Sequence, residues 1–492
     1  MADAPPAPDT PPAPEPDAQE PMLPFDQVME RLELGRAALY RQVKDGALKA
    51  VKTDHALVFA ESEVARFETG RAEDQAALRQ ALDQWLATIA ERLASHGHTD
   101  LPDLAEKTDD ELTAELARRI LLDAVAEGVT DVHLDPLEAA DRLLYRFEGN
   151  LKEVGRLPAP LAAALKAKLK DLAPPPPPEA GPGLEAVVKQ TLADTETQLH
   201  LQAAPTVLGE HIHVHIYEPE DRLRIDTLGY TPEQVGVLRG LLTGRPGLIL
   251  VAGAGDVAAD RHRLAFASEL AAAGRLVVSL EHRPHRRSEL LVQLEVGNQE
   301  APGFGPAARI ALDMGPDIVL ADEVRDAAEA RALLEMAAAG SLVVADVQAA
   351  GAIEALLRLV AMEVSREGIA TTLLAIVERR ALRRLCPHCR AARPLADGEA
   401  AQLAADPGTQ VFEPAHCDIC GDGFLGRRML HGLLLADAEL PGLIRTLEPP
   451  AQPLFEWRRR SPHGLAHAAP YAILAGDVAL RDAALLLETD AG

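Results

Sequence analysis

Four short segments made almost entirely of apolar residues, each separated from the next by a helix-like stretch, constrain the fold of this chain most. The segments are Leu248–Ala252, Arg275–Leu280, Ile318–Ala321 and Leu342–Ala345. A strand that is apolar on both faces is buried on both, and intervening helices return the chain so that such strands run parallel. Residues 226–384 therefore predict an α/β core built on a parallel sheet with helices on each side.

Length and charge limit the class of protein. With 492 residues the chain is long enough for several domains, and 47% hydrophobic with 25% charged residues is typical of a water-soluble globular protein. A formal net charge of −27 disfavours general binding to polyanions, so any nucleic-acid contact needs a local basic patch. We find no signal segment and no apolar run long enough to span a membrane, so a cytoplasmic location is expected.

The first 110 residues predict three parts. Residues 1–21 hold eight prolines and no lysine or arginine, which predicts a disordered tail. Residues 22–70 predict a small domain with two short helices, two strand-like runs and a closing helix, Glu61–Phe67. Residues 71–110 predict a helical connector, in which helix Asp74–Leu93 has one apolar face.

The remaining segments flank the predicted core. Residues 111–225 predict a smaller α+β domain with helix Asp110–Ala126, strands Asp131–Leu134 and Arg142–Phe147, and a stiff proline-rich insertion at 174–183. Residues 385–432 contain all four cysteines and predict a separate module, and residues 433–492 predict a helical tail.

Several strings resemble the ATPases of type II secretion and type IV pilus assembly, from about Leu121 to the C-terminus. EGVTDVHLDP at 127–136 and LYRFEG at 144–149 resemble that family's EGASDIHIEP and RYRIDG. PDIVLADEVRD at 316–326 and LCPHC at 385–389 resemble later landmarks, in the family's order. The resemblance implies a RecA-like core of the P-loop type that uses ATP and magnesium and works in a hexameric ring beside secretion or pilus components.

The stretch that corresponds to the family's phosphate loop departs from it. The family's GPTGSGKTTT corresponds to GAGDVAADR at 253–261, which keeps Gly253 and Gly255 but has Ala259 at the lysine position and Asp260 at the Ser/Thr position. A phosphate loop needs that lysine for the β and γ phosphates and the hydroxyl for magnesium. No lysine occurs from residue 190 to the C-terminus, so no realignment restores one.

Other positions of the implied nucleotide site have changed too. The family's acidic segment TIEDPVE corresponds to SLEHRP at 279–284, which keeps Glu281 but not the aspartate, and both histidines of its GHLVLSTLHTNDA are missing from residues 340–351. The arginines that the family offers to the phosphates from the preceding domain correspond to His200 and His215. ATP and magnesium are therefore not expected as cofactors.

An acidic strand end survives at Asp322 and Glu323, beside Arg325. The resemblance gives Glu323 the role of orienting the attacking water. The same residues also suit a purely structural strand end. A residual enzyme would depend on Glu323 together with Arg261 or Arg263 in place of the missing lysine.

The cysteines form two pairs, Cys386-x2-Cys389 and Cys417-x2-Cys420. Two such knuckles can hold one Zn²⁺ through four thiolates in tetrahedral geometry. Two disulfides or four buried thiols are the alternatives, and a cytoplasmic setting disfavours the disulfides. Since no open coordination position is expected, the predicted zinc is structural.

Residues 25–50, FDQVMERLELGRAALYRQVKDGALKA, resemble the winged helix-turn-helix of excisionase and MerR-type proteins. The resemblance places a set of basic residues on the second helix and the wing, where they suit DNA phosphates: Arg36, Arg41, Lys44, Lys49 and Lys52. The alternative is a winged helix used for protein docking, which the acidic neighbours Asp45 and Asp54 favour.

Three histidines alternate along one predicted strand: His211, His213 and His215. A second metal site is one interpretation, but exposed residues of an edge strand are the preferred one.

Three functional hypotheses follow. The leading one is a pseudo-ATPase that serves a type II secretion or type IV pilus-like system as an assembly or regulatory interaction protein. It would act at the cytoplasmic face of the inner membrane through its partners, in a hexamer of its own or with an active paralogous ATPase. The alternatives are a DNA-binding regulator that uses the motor fold as an oligomerisation platform, and a residual ATPase.

Overall fold

The computed structural model describes residues 21–488 except 45, 54–55, 148, 176–182, 193–194, 254–255, 285, 298–300, 418–419 and 449–450. The predicted tail up to residue 20, most of the predicted proline-rich insertion, and Gly255 of the phosphate loop lie outside the described residues. The side chains of residues 256–259 also lie outside them, so Ala259 is described by its backbone alone.

The N-terminal unit is a small sheet with two helices. Its elements are β1 (Met22–Pro24), α1 (Phe25–Arg31), α2 (Arg36–Lys44), β2 (Val51–Lys52) and β3 (Leu57–Ala60). The three strands are antiparallel in the order β1-β3-β2. Val28, Leu39, Leu48 and Phe59 form its core, so this short segment has a core of its own.

One helix, α3 (Glu61–Ser95), follows where the sequence predicted two helices, Glu61–Phe67 and Asp74–Leu93. The division was wrong because Gly70 costs only about 1 kcal/mol in a helix interior and residues 68–73 contain no proline. Val64 packs in the N-terminal core and Leu82 in the next core. The helix therefore runs across the predicted boundary at 70/71.

The next unit is an antiparallel sheet with helices on one face. Thr108 and Glu111 cap the start of its first helix, and Gly128, at φ 73°, ends that helix. The elements are α4 (Asp109–Glu127), β4 (Asp131–Pro136), β5 (Ala140–Phe147), β6 (Asn150–Pro158), α5 (Ala159–Lys170), β7 (Leu184–Leu192), β8 (Thr195–Thr206) and β9 (Gly209–Ile216). The order is β6-β5-β4-β9-β8-β7, so β4 and β9 lie at the centre.

Alternation along β4 and β9 gives this sheet two different faces. Val132, Leu134, Ile212 and Val214 pack in the core with α3, α4 and α5. The opposite face carries the residues between them, including Asp131 and four histidines of the two strands.

The large α/β unit begins with α6 (Pro232–Thr243) and contains the predicted parallel sheet. Its first elements are β10 (Gly247–Ala252), α7 (Asp256–Ala272), β11 (Val277–Glu281), β12 (Val292–Glu295), α8 (Phe304–Asp313), β13 (Ile318–Ala321), α9 (Ala327–Ala339), β14 (Leu342–Val347), α10 (Ala352–Ala361), α11 (Arg366–Thr372) and β15 (Leu373–Leu385). The prediction of a parallel sheet is confirmed, because β10 to β15 all pair in parallel.

The C-terminal part is built onto the same sheet. It comprises β16 (Ala391–Pro394), α12 (Asp397–Gln402), β17 (Gln410–Glu413), β18 (Phe424–Leu435), α13 (Leu440–Arg445), α14 (Gln452–Arg459), α15 (Leu465–Leu474) and α16 (Leu480–Glu488). The complete order is β12-β11-β13-β14-β10-β15-β18, with β18 antiparallel to β15. Strand β18 of the main sheet thus begins within the predicted cysteine module.

Apolar clusters lie on both faces of the main sheet, as a doubly covered sheet requires. Leu440, Ile444 and Trp457, from the predicted tail, are buried in one of these clusters. Helices α15 and α16 pack with β17 in a separate cluster. Among the described residues, no helix has both the length and the apolar character that crossing a membrane requires.

Candidate functional site

The predicted nucleotide-site residues meet at the carboxyl edge of the main sheet. Gly253 follows β10 directly, Glu281 ends β11, Asp322 and Glu323 follow β13, and Asp260 lies in the first turns of α7. Parallel strands gather their carboxyl ends on one edge, which is where open α/β sheets bind ligands. The fold therefore brings this set of carboxylates together, as the sequence implied.

Arg263 forms ion pairs with two of these carboxylates. Its Nη2 lies 3.1 Å from Oδ1 of Asp260 and 3.8 Å from Oε2 of Glu281, and all three side chains are at most 6% exposed. Burial works to lower the pKa of Arg263, but the charges of Glu281 and Asp260, followed by Asp346 and Asp322, raise it overall. The arginine one turn after the lysine position is thus committed to internal carboxylates.

A second buried arginine, Arg379 of β15, fills the space beside the loop's first glycine. A Cβ added at Gly253 would lie 2.7 Å from Nε of Arg379. Nη2 of Arg379 is 3.0 Å from Oδ1 of Asp346, and the two side chains are 3% and 8% exposed. Sequence reasoning missed this pair, although an aspartate in the otherwise apolar strand β14 signals a buried cationic partner.

His282 holds the surviving acidic strand end. Its backbone N–H donates to Oδ2 of Asp322 over 2.7 Å. Its Nδ1 lies 2.8 Å from Oδ1 of Asp322, and its Nε2 lies 2.8 Å from Oε1 of Glu329. Both ring nitrogens can donate to carboxylates when each carries a proton. The histidine that stands in place of the family's aspartate therefore ties Asp322 into an internal network.

Glu323 is more accessible, with a side chain 25% exposed. Its carboxylate lies 3.6 Å from Nε of Arg325 and 3.8 Å from Nη2 of Arg358. Arg261, the other arginine considered as a substitute for lysine, lies 3.0 Å from Glu218.

The four cysteines converge in a second candidate site. Sγ of Cys386 lies 3.9 Å from that of Cys417, and Cys420 lies 3.5 Å from both Cys389 and Cys417. Four sulfurs around one zinc at about 2.3 Å are about 3.8 Å apart, so the arrangement fits the metal. The backbone N–H of Gly423 also donates to Sγ of Cys420 over 3.3 Å. These residues could hold Zn²⁺ without moving far.

The predicted DNA-contacting residues lie apart from both sites. Arg36, Arg41 and Lys44 are exposed on α2, and Lys49 and Lys52 are exposed in and before β2. Arg36 is 3.6 Å from Asp26, a distance typical of a weak surface ion pair.

The preferred interpretation of the strand histidines was wrong. His211, His213 and His215 lie on β9, which pairs with both β4 and β8 and is not an edge strand. His213 and His215 are 26% and 12% exposed and contact Asp131 of β4. One strand's pattern cannot reveal this, because the partner strand lies about 80 residues earlier in the chain.

Charge interactions on this histidine-bearing face are strong. Burial works to raise the pKa of Asp131, but hydrogen bonds from His213 and His215 outweigh it and hold the pKa well below its usual range. Burial and the nearby His213 lower the pKa of His133 to about 4. His200, which corresponds to a family arginine, has Nε2 3.0 Å from Glu185.

Comparison with known proteins identifies the family. Residues 106–483 match the family described as "Type II/IV secretion system protein". The chain belongs to this family. It is 29% identical to type II secretion system protein E of Klebsiella pneumoniae over 354 residues, which are 72% of this chain and 70% of the relative.

Other relatives agree with this assignment. The type IV pilus assembly ATPase PilB of Acinetobacter baylyi is 28% identical over 346 residues, which cover 68% of this chain and 59% of PilB. The Legionella pneumophila ATPase DotB superposes with a TM-score of 0.57 at 16% identity, over 78% of this chain and 98% of DotB. At that identity the likeness shows the fold alone.

The buried pair of Arg379 and Asp346 yields a test. Replacing Arg379 with methionine leaves the carboxylate of Asp346 buried without its cation, so we expect unfolding free energy to fall by about 3–5 kcal/mol. Adding Asp346→Asn should recover part of the loss, whereas Arg380→Met, at the exposed next residue, should change stability by at most about 0.5 kcal/mol. Urea unfolding followed by circular dichroism measures all four proteins; equal midpoints for Arg379→Met and Arg380→Met would contradict the expectation.

Proposed function

We propose that this chain is a catalytically degenerate member of its family, a pseudo-ATPase that serves a type II secretion or type IV pilus-like system as an assembly or regulatory interaction protein. The observation that carries the proposal is the pair of buried arginines, Arg263 and Arg379, at the sheet edge where a nucleotide would bind. Both are engaged with carboxylates of the chain itself.

The charge balance at this edge argues against nucleotide binding. A polyphosphate that recruited Arg263 would draw it from Asp260 and Glu281, which are almost fully buried. Leaving buried charges unpaired costs on the order of several kcal/mol per ion. Asp260 supplies no hydroxyl for magnesium, and Ala259 supplies no ammonium group for the phosphates. The buried arginines at this edge are thus already paired with carboxylates of the chain itself.

The proposed role rests on shape, because apolar side chains pack on both faces of the parallel sheet. Relatives named for type II secretion and type IV pilus assembly indicate which machinery such a shape would join. We propose that its partners are components of that machinery, including an active paralogous ATPase with which it forms a hexamer, at the cytoplasmic face of the inner membrane.

A nucleotide titration tests the loss of activity. We expect the purified chain with zinc and magnesium to show no saturable binding of a fluorescent ATP analogue and no phosphate release above buffer. Glu323→Gln should leave both results unchanged, and the type IV pilus assembly ATPase PilB of Acinetobacter baylyi is the positive control. Micromolar binding with turnover that Glu323→Gln abolishes would sink the pseudo-ATPase proposal and favour the residual enzyme.

We also propose that the cysteines hold one structural Zn²⁺. Their four sulfurs can fill all four coordination positions of one ion. The two knuckles lie where β15 ends and just before β18 begins. Such a metal contributes directly to folding free energy, since the unfolded chain has no preformed site. Zinc would fix the turn regions that join these two strands.

Metal analysis tests the zinc proposal. Cys389→Ser should lower the zinc content by one ion per chain and expose Arg390 and Arg393 to trypsin, because the module loses its cross-link. His388→Ala is the matched control, since this exposed residue lies between two of the cysteines. Unchanged zinc content in Cys389→Ser would refute the site.

A DNA-binding regulator is the second candidate, and the exposed basic residues of the N-terminal unit favour it. Helix α2 follows α1 after a short turn, and β2 and β3 form a hairpin beside it, an arrangement that supports a winged helix-turn-helix. Among the described residues, no carboxylate lies within ion-pairing distance of Arg41, Lys44, Lys49 or Lys52.

Retention on double-stranded DNA distinguishes this candidate. If α2 contacts phosphates, Arg41→Ala with Lys44→Ala should weaken binding and reduce the slope of log affinity against log salt by about 2, one for each contact. Lys152→Ala with Arg156→Ala removes the same charge from exposed positions on β6 and should have no such effect. Equal losses in both double variants, or no retention of the wild-type chain, would exclude the regulator.

A further inference from the structure

The outer face of the six-stranded antiparallel sheet holds a cluster of side chains of the types that bind metal ions. It is separate from the candidate nucleotide site and from the four cysteines. In the pairing of β4 with β9, Asp131 lies opposite His215 and His133 lies opposite His213. Oδ1 of Asp131 is 2.8 Å from Nε2 of His213 and 2.9 Å from Nδ1 of His215. One ligand atom from each of these three residues lies within 4.8 Å of the other two.

We propose that Asp131, His213 and His215 form a second Zn²⁺ site, with two imidazoles and one carboxylate as ligands. This donor set suits zinc with a fourth coordination position open to water or a partner's side chain. The proposal does not depend on the loss of ATPase activity or on the cysteine site.

The hydrogen bonds of His213 direct its Nε2 at the carboxylate of Asp131, where a metal ion could bind. Nε2 of Gln202 donates to Oε1 of Glu185 over 3.3 Å, which directs the amide oxygen of Gln202 toward His213. Nδ1 of His213 lies 3.1 Å from that oxygen and so carries a proton that it donates. The other ring nitrogen then directs a lone pair at the carboxylate of Asp131, unless a second proton or a metal ion binds there.

The geometry needs little change to accept the ion. With metal–ligand distances of about 2.0–2.2 Å, tetrahedral ligand atoms are about 3.3 Å apart, so the two contacts between Asp131 and the histidines must open by about 0.4–0.5 Å. The ligands project from the two central strands of the sheet, which fixes their backbones. Side-chain exposures of 12% for Asp131 and His215 and 26% for His213 leave a path for the ion.

Neighbouring groups orient the ligands as the outer partners of a metal site do. The hydroxyl of Thr130 donates to Oδ2 of Asp131 over 2.7 Å, so that Oδ1 is left for the metal. Nε of Arg146 also lies 3.4 Å from Oδ2, the oxygen that the two histidines do not contact. The ring of His133 stacks on that of His213 with centroids 4.6 Å apart. Nε2 of His133 is buried and has no hydrogen-bond partner among the described residues.

Metal counting in the full-length chain tests the proposal. Equilibrium dialysis against Zn²⁺ at neutral pH should give one ion per chain beyond the cysteine-bound ion, with a dissociation constant in the micromolar range or below. His213→Ala with His215→Ala should lose that ion and keep the other, while Cys389→Ser should do the reverse. His467→Ala, at an exposed histidine outside the cluster, is the matched control and should behave as the wild type.

Two further measurements keep the result interpretable. Asp131→Asn retains the shape of the ligand and removes its charge, so it should weaken the second ion at least tenfold even if the histidine variant misfolds. In cobalt-loaded protein, sulfur-to-metal charge-transfer bands should persist in Asp131→Asn and disappear in Cys389→Ser. Equal zinc content and affinity in wild type, Asp131→Asn and the histidine variant would overturn the proposal, as would additional binding at millimolar zinc alone.

Discussion

The compensation of buried charge at the carboxyl edge of the parallel sheet is the constraint on which the rest of the core depends. The topology delivers Glu281, Asp322 and Asp346 to one edge, and α7 adds Asp260. Carboxylates so close together need cations. Here Arg263 and Arg379 supply positive charge from the chain, and His282 lies within hydrogen-bonding distance of Asp322.

Burial explains which strands could be predicted. The four strands predicted for the parallel sheet are apolar on both faces because they lie between two layers of helices. They occupy adjacent places in that sheet. Strand β15 was missed because residues 378–384 are rich in charge, and no local pattern distinguishes a buried, paired charge from a solvated one. Glu378, 1% exposed, finds its partner in Arg458, 80 residues later.

The candidate sites also differ in how much of each could be predicted from local sequence. The cysteines were predictable because ligand spacing is local, and the altered phosphate loop because a motif is local. Arg263 pairs with Asp260, which is only three residues away. This pairing could not be predicted, because it depends on the burial that Glu281 and the sheet impose. The histidines of β9 could be judged only once β4 and β8 were known to lie on either side.

The carboxyl edge of the main sheet and the histidine-bearing face of the antiparallel sheet both carry less positive charge than the resemblance implies. At the sheet edge, a carboxylate stands where the resemblance implies a hydroxyl, alanine stands where it implies a lysine, and the nearby buried arginines form internal ion pairs. On the antiparallel sheet, His200 and His215 stand where the resemblance implies arginines, and carboxylates accompany them. At both places a group that could bind phosphate is missing from the position where the resemblance implies it, and carboxylates lie close by. On our proposal that the sheet edge binds no nucleotide, arginines facing it would have no ligand, so the two changes have a single explanation.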